Sequence, residues 1–241
     1  MRSRGRGGSY TRSPREFALT AGSGPLPDDR KLSEGLIPQP LKTIPIPPPI
    51  AEQVSIKDLQ FLGSYNWIAD ETIPTIIVPG SPAEWQNKPT PYQVPADRGN
   101  RFTDQNGYRM PKAVLQPLIT AVDIIQADDG QTFDWSSVDI ITDRNGLRKL
   151  LRWIAKSSDR FEEARPFRID LQLAGKKTVL FNRWEKRYRE AMPGYTFGFN
   201  FEKASTLPGV DCDDATAHHR IICYVSADRC LCDSLTKNNR V

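Results

Sequence analysis

The sequence predicts an α+β domain, a mixed or antiparallel sheet with flanking helices, behind a disordered N-terminal tail. Short alternating apolar segments outnumber helical repeats along the chain. Two of them, 167–173 and 178–181, flank a Gly175-Lys176 turn as the arms of a β-hairpin do. Hairpins mixed with a few helices favour α+β over a doubly wound parallel sheet. The tail is predicted from the start of the chain, where Arg2, Arg4 and Arg6 alternate with glycines and a Pro-rich stretch follows.

Residues 1–52 form that tail, because such a composition cannot bury enough apolar surface to offset chain entropy. Its end, Pro45-Ile46-Pro47-Pro48-Pro49, is a polyproline-like linker. Arg-Gly segments either grip RNA backbones or simply solubilise. The folded domain spans 53–241. A strand or strand pair is expected at 61–68 and another at 75–78, closed by the Pro79-Gly80-Ser81-Pro82 turn. Residues 79–111, rich in Pro, Asn, Asp and Gly, read as a long irregular connection. Val114, Leu118, Ala121, Val122 and Ile125 recur at helical spacing. Residues 138–141 alternate as a strand, and Leu147, Leu150, Leu151 and Ile154 mark a second helix. After the hairpin come alternating strands at 195–202 and 220–225, and then the chain turns polar.

Composition narrows the function classes. With 38% hydrophobic and 26% charged residues, 241 residues support one ordinary core. No apolar run approaches the roughly 18 residues that span a bilayer, so no membrane partner is expected. The four cysteines lie at position 212 or beyond and cannot staple the rest, which fits a reducing setting, nucleus or cytoplasm. A net charge of +4 permits nucleic acid as a partner without requiring it. The only histidines, His218 and His219, are neighbours, and no nucleophile elbow or phosphate-binding Gly loop occurs.

Three stretches carry candidate chemistry. In 195–202, strand alternation puts Phe197, Phe199 and Phe201 on one face and Gly198, Asn200 and Glu202 on the other. A carboxylate beside a side-chain-free position suits a metal that handles phosphate, although a solvated outer face gives the same pattern. In 138–151 a strand runs into a helix, with Asp143 or Thr142 as cap and Arg144 in the first turn. Free N–H groups and a guanidinium there make an anion site, while Arg148, Lys149 and Arg152 form a solvated face. In 183–189 the cations Arg183, Lys186 and Arg187 interleave with Trp184 and Tyr188 as in a nucleic-acid groove; Glu185 and Glu190 offset the charge if this is only a connection.

In this order, Phe61-Leu62-Gly63-Ser64-Tyr65, the 139–151 segment and Gly198-Phe199-Asn200-Phe201-Glu202 resemble the decapping and exoribonuclease family, fungal members included. The last piece matches the family's Gly-Φ-x-Φ-Glu motif, with Φ apolar. The resemblance implies a PD-(D/E)XK-like nuclease fold, the RNA 5′ end as substrate and a possible partner exoribonuclease. It makes Arg144 a ligand of the 5′-terminal phosphate and Glu202 a catalytic ligand of Mg2+ or Mn2+, with Gly198 and Asn200 beside the substrate. The family's Glu-x-Asp and Glu-Φ-Lys motifs are missing from this sequence. One Glu cannot hold the ion, so an incomplete site is expected, on a chain that is truncated or leaves its proper reading after about residue 225, and that binds RNA weakly with poor or no turnover.

Two other readings stand beside this one. Some proteins of this pattern are labelled geranylgeranyl pyrophosphate synthetase, but the acidic pairs Asp28-Asp29, Asp128-Asp129 and Asp213-Asp214 lack the third Asp of a prenyl transferase motif. A non-catalytic RNA- or protein-binding module is the other.

Overall fold

In the computed structural model, residues 29–48, 58–68, 72–154, 166–207, 219–225 and 230–235 are described, Val225 and the last six by their backbone alone. The first long strand, β1 (Leu59–Trp67), buries both of its faces from Gly63 onward. Tyr65 and Trp67 share one face and enter the core, while Ser64 and Asn66 on the other donate to the carbonyls of Gly80 and Ser81 at 3.0 and 2.7 Å. The predicted turn after β2 (Ile76–Ile77) thus seals the second face of β1.

A seven-stranded sheet runs in the order β2, β1, β10 (His219–Val225), β11 (Cys230–Leu235), β5 (Ile140–Asp143), β7 (Thr178–Trp184), β6 (Arg168–Ala174). Pairing is antiparallel except where β5 runs parallel to both β11 and β7, so the sheet is mixed. The predicted hairpin is β6 and β7 in full register, Arg168 opposite Trp184 and Ala174 opposite Thr178.

Helix α2 (Gln116–Asp128) packs Leu118, Ala121 and Val122 against Tyr65, Trp67, Val138, Ile141 and Ile222. Each such side chain contributes roughly 1.5–3 kcal/mol by leaving water. Gly63 permits the approach: its φ is +153°, and a Cβ there would lie 2.1 Å from Ile125 Cδ1. Helix α3 (Arg144–Ile154) follows β5 directly, as predicted.

Three expectations are corrected. Residues 79–111 are not an irregular connection throughout: they carry β3 (Glu84–Trp85), β4 (Asn100–Phe102) and the short helix α1 (Gln105–Arg109). The two strands pair with β9 (Thr206–Leu207) and β8 (Arg189–Ala191), partners about a hundred residues away that no local pattern reveals. Second, 195–202 is not a strand. Gly198–Ser205 forms helix α4, because the Asp97 carboxylate accepts the N–H groups of Asn200 at 2.8 Å and Phe199 at 3.4 Å and so supplies a cap from a distant segment. Third, 220–225 is not the last strand: β11 lies between β10 and β5, inside the sheet.

Part of the segment expected as tail contacts the domain. Residues 29–34 lie on the β7–β8 segment, with the Arg30 N–H donating to the Lys186 carbonyl at 2.9 Å. The Arg-Gly start, and His218 and Cys212, lie outside the described residues.

Candidate functional site

Asp104-Gln105-Asn106-Gly107 and Asp143-Arg144-Asn145-Gly146 are two copies of one pattern, Asp-x-Asn-Gly, each at a helix start. In both, the aspartate carboxylate accepts the glycine N–H, at 2.9 Å in α1 and 2.5 Å in α3. A side chain on either glycine would clash: a Cβ on Gly107 would sit 2.6 Å from Asp104 Oδ2, and one on Gly146 2.8 Å from Thr142 Oγ1 and tight against Asp143 Oδ1 at 3.2 Å.

Both carboxylates meet Arg183, Asp143 through the oxygen its cap leaves free and Asp104 through the same Oδ1 that accepts the Gly107 N–H. The Arg183 Nε donates to Asp143 at 2.7 Å, one terminal nitrogen lies 3.4 Å from Asp104, and the other donates to Glu185 at 2.5 Å and to the Thr103 carbonyl at 3.2 Å. Burial, which disfavours a charged guanidinium, is outweighed by Asp143, Asp104 and Glu185, which raise the Arg183 pKa above its ordinary value. Asp104 goes the opposite way: burial pushes its carboxyl up, against the lowering effect of Arg183 and the Gly107 N–H. Glu185 also binds Lys149 of α3 at 3.1 Å. Arg183 is therefore a buried fastener between α1, α3 and β7 and presents no donor to a substrate. It shares a strand face with the half-buried Val179 and Phe181 while Leu180 on the other face packs on the core, so alternation carried no clear signal of that burial.

Above this network the surface is basic. Arg144, Arg148 and Arg152 recur every fourth residue along α3 and are all exposed. The helix contains no acidic residue, and Arg144 forms no hydrogen bond or ion pair among the described residues. The cap Asp143 already takes the Gly146 N–H, so the anion site predicted from free helix amides is occupied by the protein's own carboxylate. Lys186 is exposed, whereas Arg187 holds Asp29 through two bonds, 2.7 and 2.6 Å.

The second predicted group is separate. Asn200 donates to the carbonyls of Ala96 at 2.9 Å and Pro95 at 3.2 Å, and Phe201 packs against Trp85 and Tyr92 at centroid distances of 5.9 and 6.5 Å. Asp97, which sequence reasoning missed, organises this corner. Burial raises its carboxyl pKa, but the donors Asn200, Thr196, Phe199 and Gly198 outweigh that and hold it below the usual carboxylate range. Gly198 is exposed with open space where a Cβ would be, so it is no point of close backbone approach. Glu202 sits on the exposed side of α4. Because 198–205 is helical, Gly198, Asn200 and Glu202 do not share one strand face.

The β4–β8 ribbon connects this corner to the Arg183 network, running from Asp97 beside Thr196 to Thr103 beside Tyr188. At about 3.3 Å per residue, an extended path from Asp97 to Asp104 is on the order of 20 Å. The structure thus brings Arg144, Arg183, Lys186 and Arg187 into one region and Gly198, Asn200 and Glu202 into another. Among the described residues no three His, Cys, Asp or Glu side chains converge as a metal ligand set, and Glu202 has no second acidic ligand beside it on α4. These residues do not fit the magnesium or manganese centre that the resemblance implies.

The protein is a mixed α+β domain organised on one seven-stranded sheet, and no helix among the described residues is long and apolar enough to cross a membrane. It belongs to the DUF8563 family, a domain of unknown function, which matches residues 42–232 and so takes in the whole sheet up to the middle of β11. No curated protein and no solved structure matches the chain.

Proposed function

We propose that this domain binds the 5′-terminal region of RNA on the arginine-bearing face of α3, and that binding rather than hydrolysis is its activity. The supporting observation is the spacing of Arg144, Arg148 and Arg152 on an exposed helical face free of acids. Residues four apart stack one above the next on a helix, so the three guanidiniums offer successive contacts to a phosphate backbone. The acids nearest Arg144 are engaged elsewhere, Asp143 and Asp104 with Arg183, and Glu185 with Arg183 and Lys149. The resemblance to decapping nucleases supports RNA 5′ ends as the ligand class and Arg144 as the residue at the terminal phosphate. Hydrolysis is left out because Glu202 is on α4, at the far end of the β4–β8 ribbon from Arg144.

The test is filter binding of a 5′-monophosphate single-stranded RNA across a salt series. Each phosphate contact contributes a slope of about −0.7 in log affinity against log salt, so replacing all three arginines by Gln is expected to flatten the slope by about 2. An unchanged slope overturns the assignment to α3. Magnesium-dependent cleavage of the RNA, lost in Glu202→Ala, replaces binding by catalysis.

A further inference from the structure

Residues 29–34 cross the basic and aromatic run at the end of β7 and make contacts of a kind that a nucleotide makes. The Asp29 carboxylate occupies the fork of Arg187, accepting from Nε at 2.7 Å and from a terminal nitrogen at 2.6 Å. That planar two-bond geometry receives a phosphate equally well. The Arg30 guanidinium lies 3.6 Å from the Trp184 ring centre and 5.0 Å from that of Tyr188, to whose hydroxyl it also donates. A flat cation stacked on an indole stands where a base would stack. Arg168, itself 3.9 Å from the Trp184 ring centre, donates to the carbonyls of Leu32 at 3.1 Å and Glu34 at 2.5 Å.

The contacts these residues make are ionic, stacked or to carbonyls, and the apolar side chains that follow point away: Leu36 is 53% exposed, Ile37 64% and Leu41 92%. Leu32, the one apolar side chain within 29–34, is half-buried but lies outside the hydrophobic core. The closed arrangement also leaves the Trp184 indole N–H buried with no hydrogen-bond partner, which costs free energy. Charge contacts of this kind are screened by salt and open to competition from a polyanion.

We infer that residues 29–34 are a displaceable strap covering a second nucleotide-contacting surface, formed by Trp184, Tyr188, Arg168 and Arg187, and that single-stranded RNA competes with the strap for it. The inference rests on the reading of the domain as an RNA binder and extends the contact surface beyond α3. The two segments are tied together by Lys149 of α3, which binds Glu185, the sequence neighbour of Trp184 and Lys186. Opening would join the α3 arginines to an aromatic platform and free Arg187 for phosphate.

The experiment uses the full chain with Asp29→Asn and Arg30→Ala together, and RNA affinity read by fluorescence anisotropy over a salt series. If the strap is open about a tenth of the time in the wild type, releasing it raises the affinity about tenfold. The salt slope steepens by about 0.7 for one added phosphate contact. Adding Trp184→Ala to the released variant is expected to abolish the gain. Unchanged or weaker binding by the released variant, with its thermal unfolding intact, overturns the strap. If the double variant does not fold, Arg30→Gln alone is read against the same criterion. The α3 triple Gln variant runs in parallel. Loss of its binding with no gain on strap release keeps the α3 reading and removes the strap, whereas gain on release with α3 indifferent does the reverse.

Discussion

Replacing Arg183 by Met tests whether the buried network holds the domain together. The Arg183 side chain is 3% exposed, and it is the cation shared by Asp104, at 2% side-chain exposure, and Asp143, at 9%. Without it both carboxylates remain in place as helix caps, close together and out of water. Breaking a buried pair by removing one partner costs about 3–5 kcal/mol, and Glu185 adds little because it keeps Lys149. With a urea dependence of about 2 kcal/mol per molar, the unfolding midpoint falls by about 2 M. Tryptophan fluorescence follows the transition. The loss should shrink as pH falls: Asp104 already has a raised pKa from burial, and removing Arg183 takes away the main influence that lowers it. A carboxyl whose folded pKa exceeds its unfolded one destabilises the fold above that folded value, and the penalty disappears once both states are protonated. Adding Asp104→Asn and Asp143→Asn removes the stranded charges and retains oxygen acceptors for the Gly107 and Gly146 N–H groups, so the triple variant should regain much of the loss. A cost below about 1 kcal/mol, the range of an exposed pair, would refute the network's structural role. So would a deficit that grows on acidification.

Asp97→Ala should lower the melting temperature by a few degrees and weaken α4 selectively, seen as faster amide exchange at Phe199 and Asn200. Since the Asp97 carboxyl is held below its usual range, its contribution is present above about pH 3.9 and is lost as pH falls through the folded value, so wild type and variant should converge in acid. Gly80→Ala places a Cβ 2.5 Å from the Tyr65 carbonyl carbon, a backbone clash expected to cost about 1–3 kcal/mol by chemical denaturation.

What could be read from the sequence divides along sequence distance. The β6–β7 hairpin, α2, α3, β1 and β10 rest on periodicity within a single segment, and each was anticipated. Helix α4 was not, since Phe197, Phe199 and Phe201 do alternate; the deciding donors and acceptor are paired with Asp97, across 103 positions. β11 hid for a different reason. It pairs locally with β10 and at long range with β5, opposite Cys230 at Ile140, but its Cys-Leu-Cys-Asp-Ser-Leu run carries no apolar alternation to announce a strand. At the candidate site, Arg144 behind a capping Asp143 was legible because strand, cap and helix are contiguous. Its relation to Arg183 was not, because an arginine among aromatics reads equally as a groove or as a core fastener until its carboxylate partners are placed.

The repeated Asp-x-Asn-Gly pattern joins these two levels. In the second copy one Asp143 oxygen takes the glycine N–H and the other takes Arg183, whereas in the first Asp104 Oδ1 faces both Gly107 N–H and Arg183, and Oδ2 is buried without a hydrogen-bond partner. A single cation therefore fixes the starts of α1 and α3 against β7. Asn106 of the first copy extends the tie into the core, accepting from Trp67 Nε1 at 2.9 Å and donating to the Tyr65 hydroxyl at 3.0 Å. In the second copy the variable position is Arg144 itself, so the residue proposed to meet the RNA phosphate is placed by the same cap that anchors the network. Surface recognition and core stability are then coupled through Asp143. A change that releases this carboxylate from Arg183 would loosen the first turn of α3, and would reach RNA affinity without touching a residue that contacts RNA.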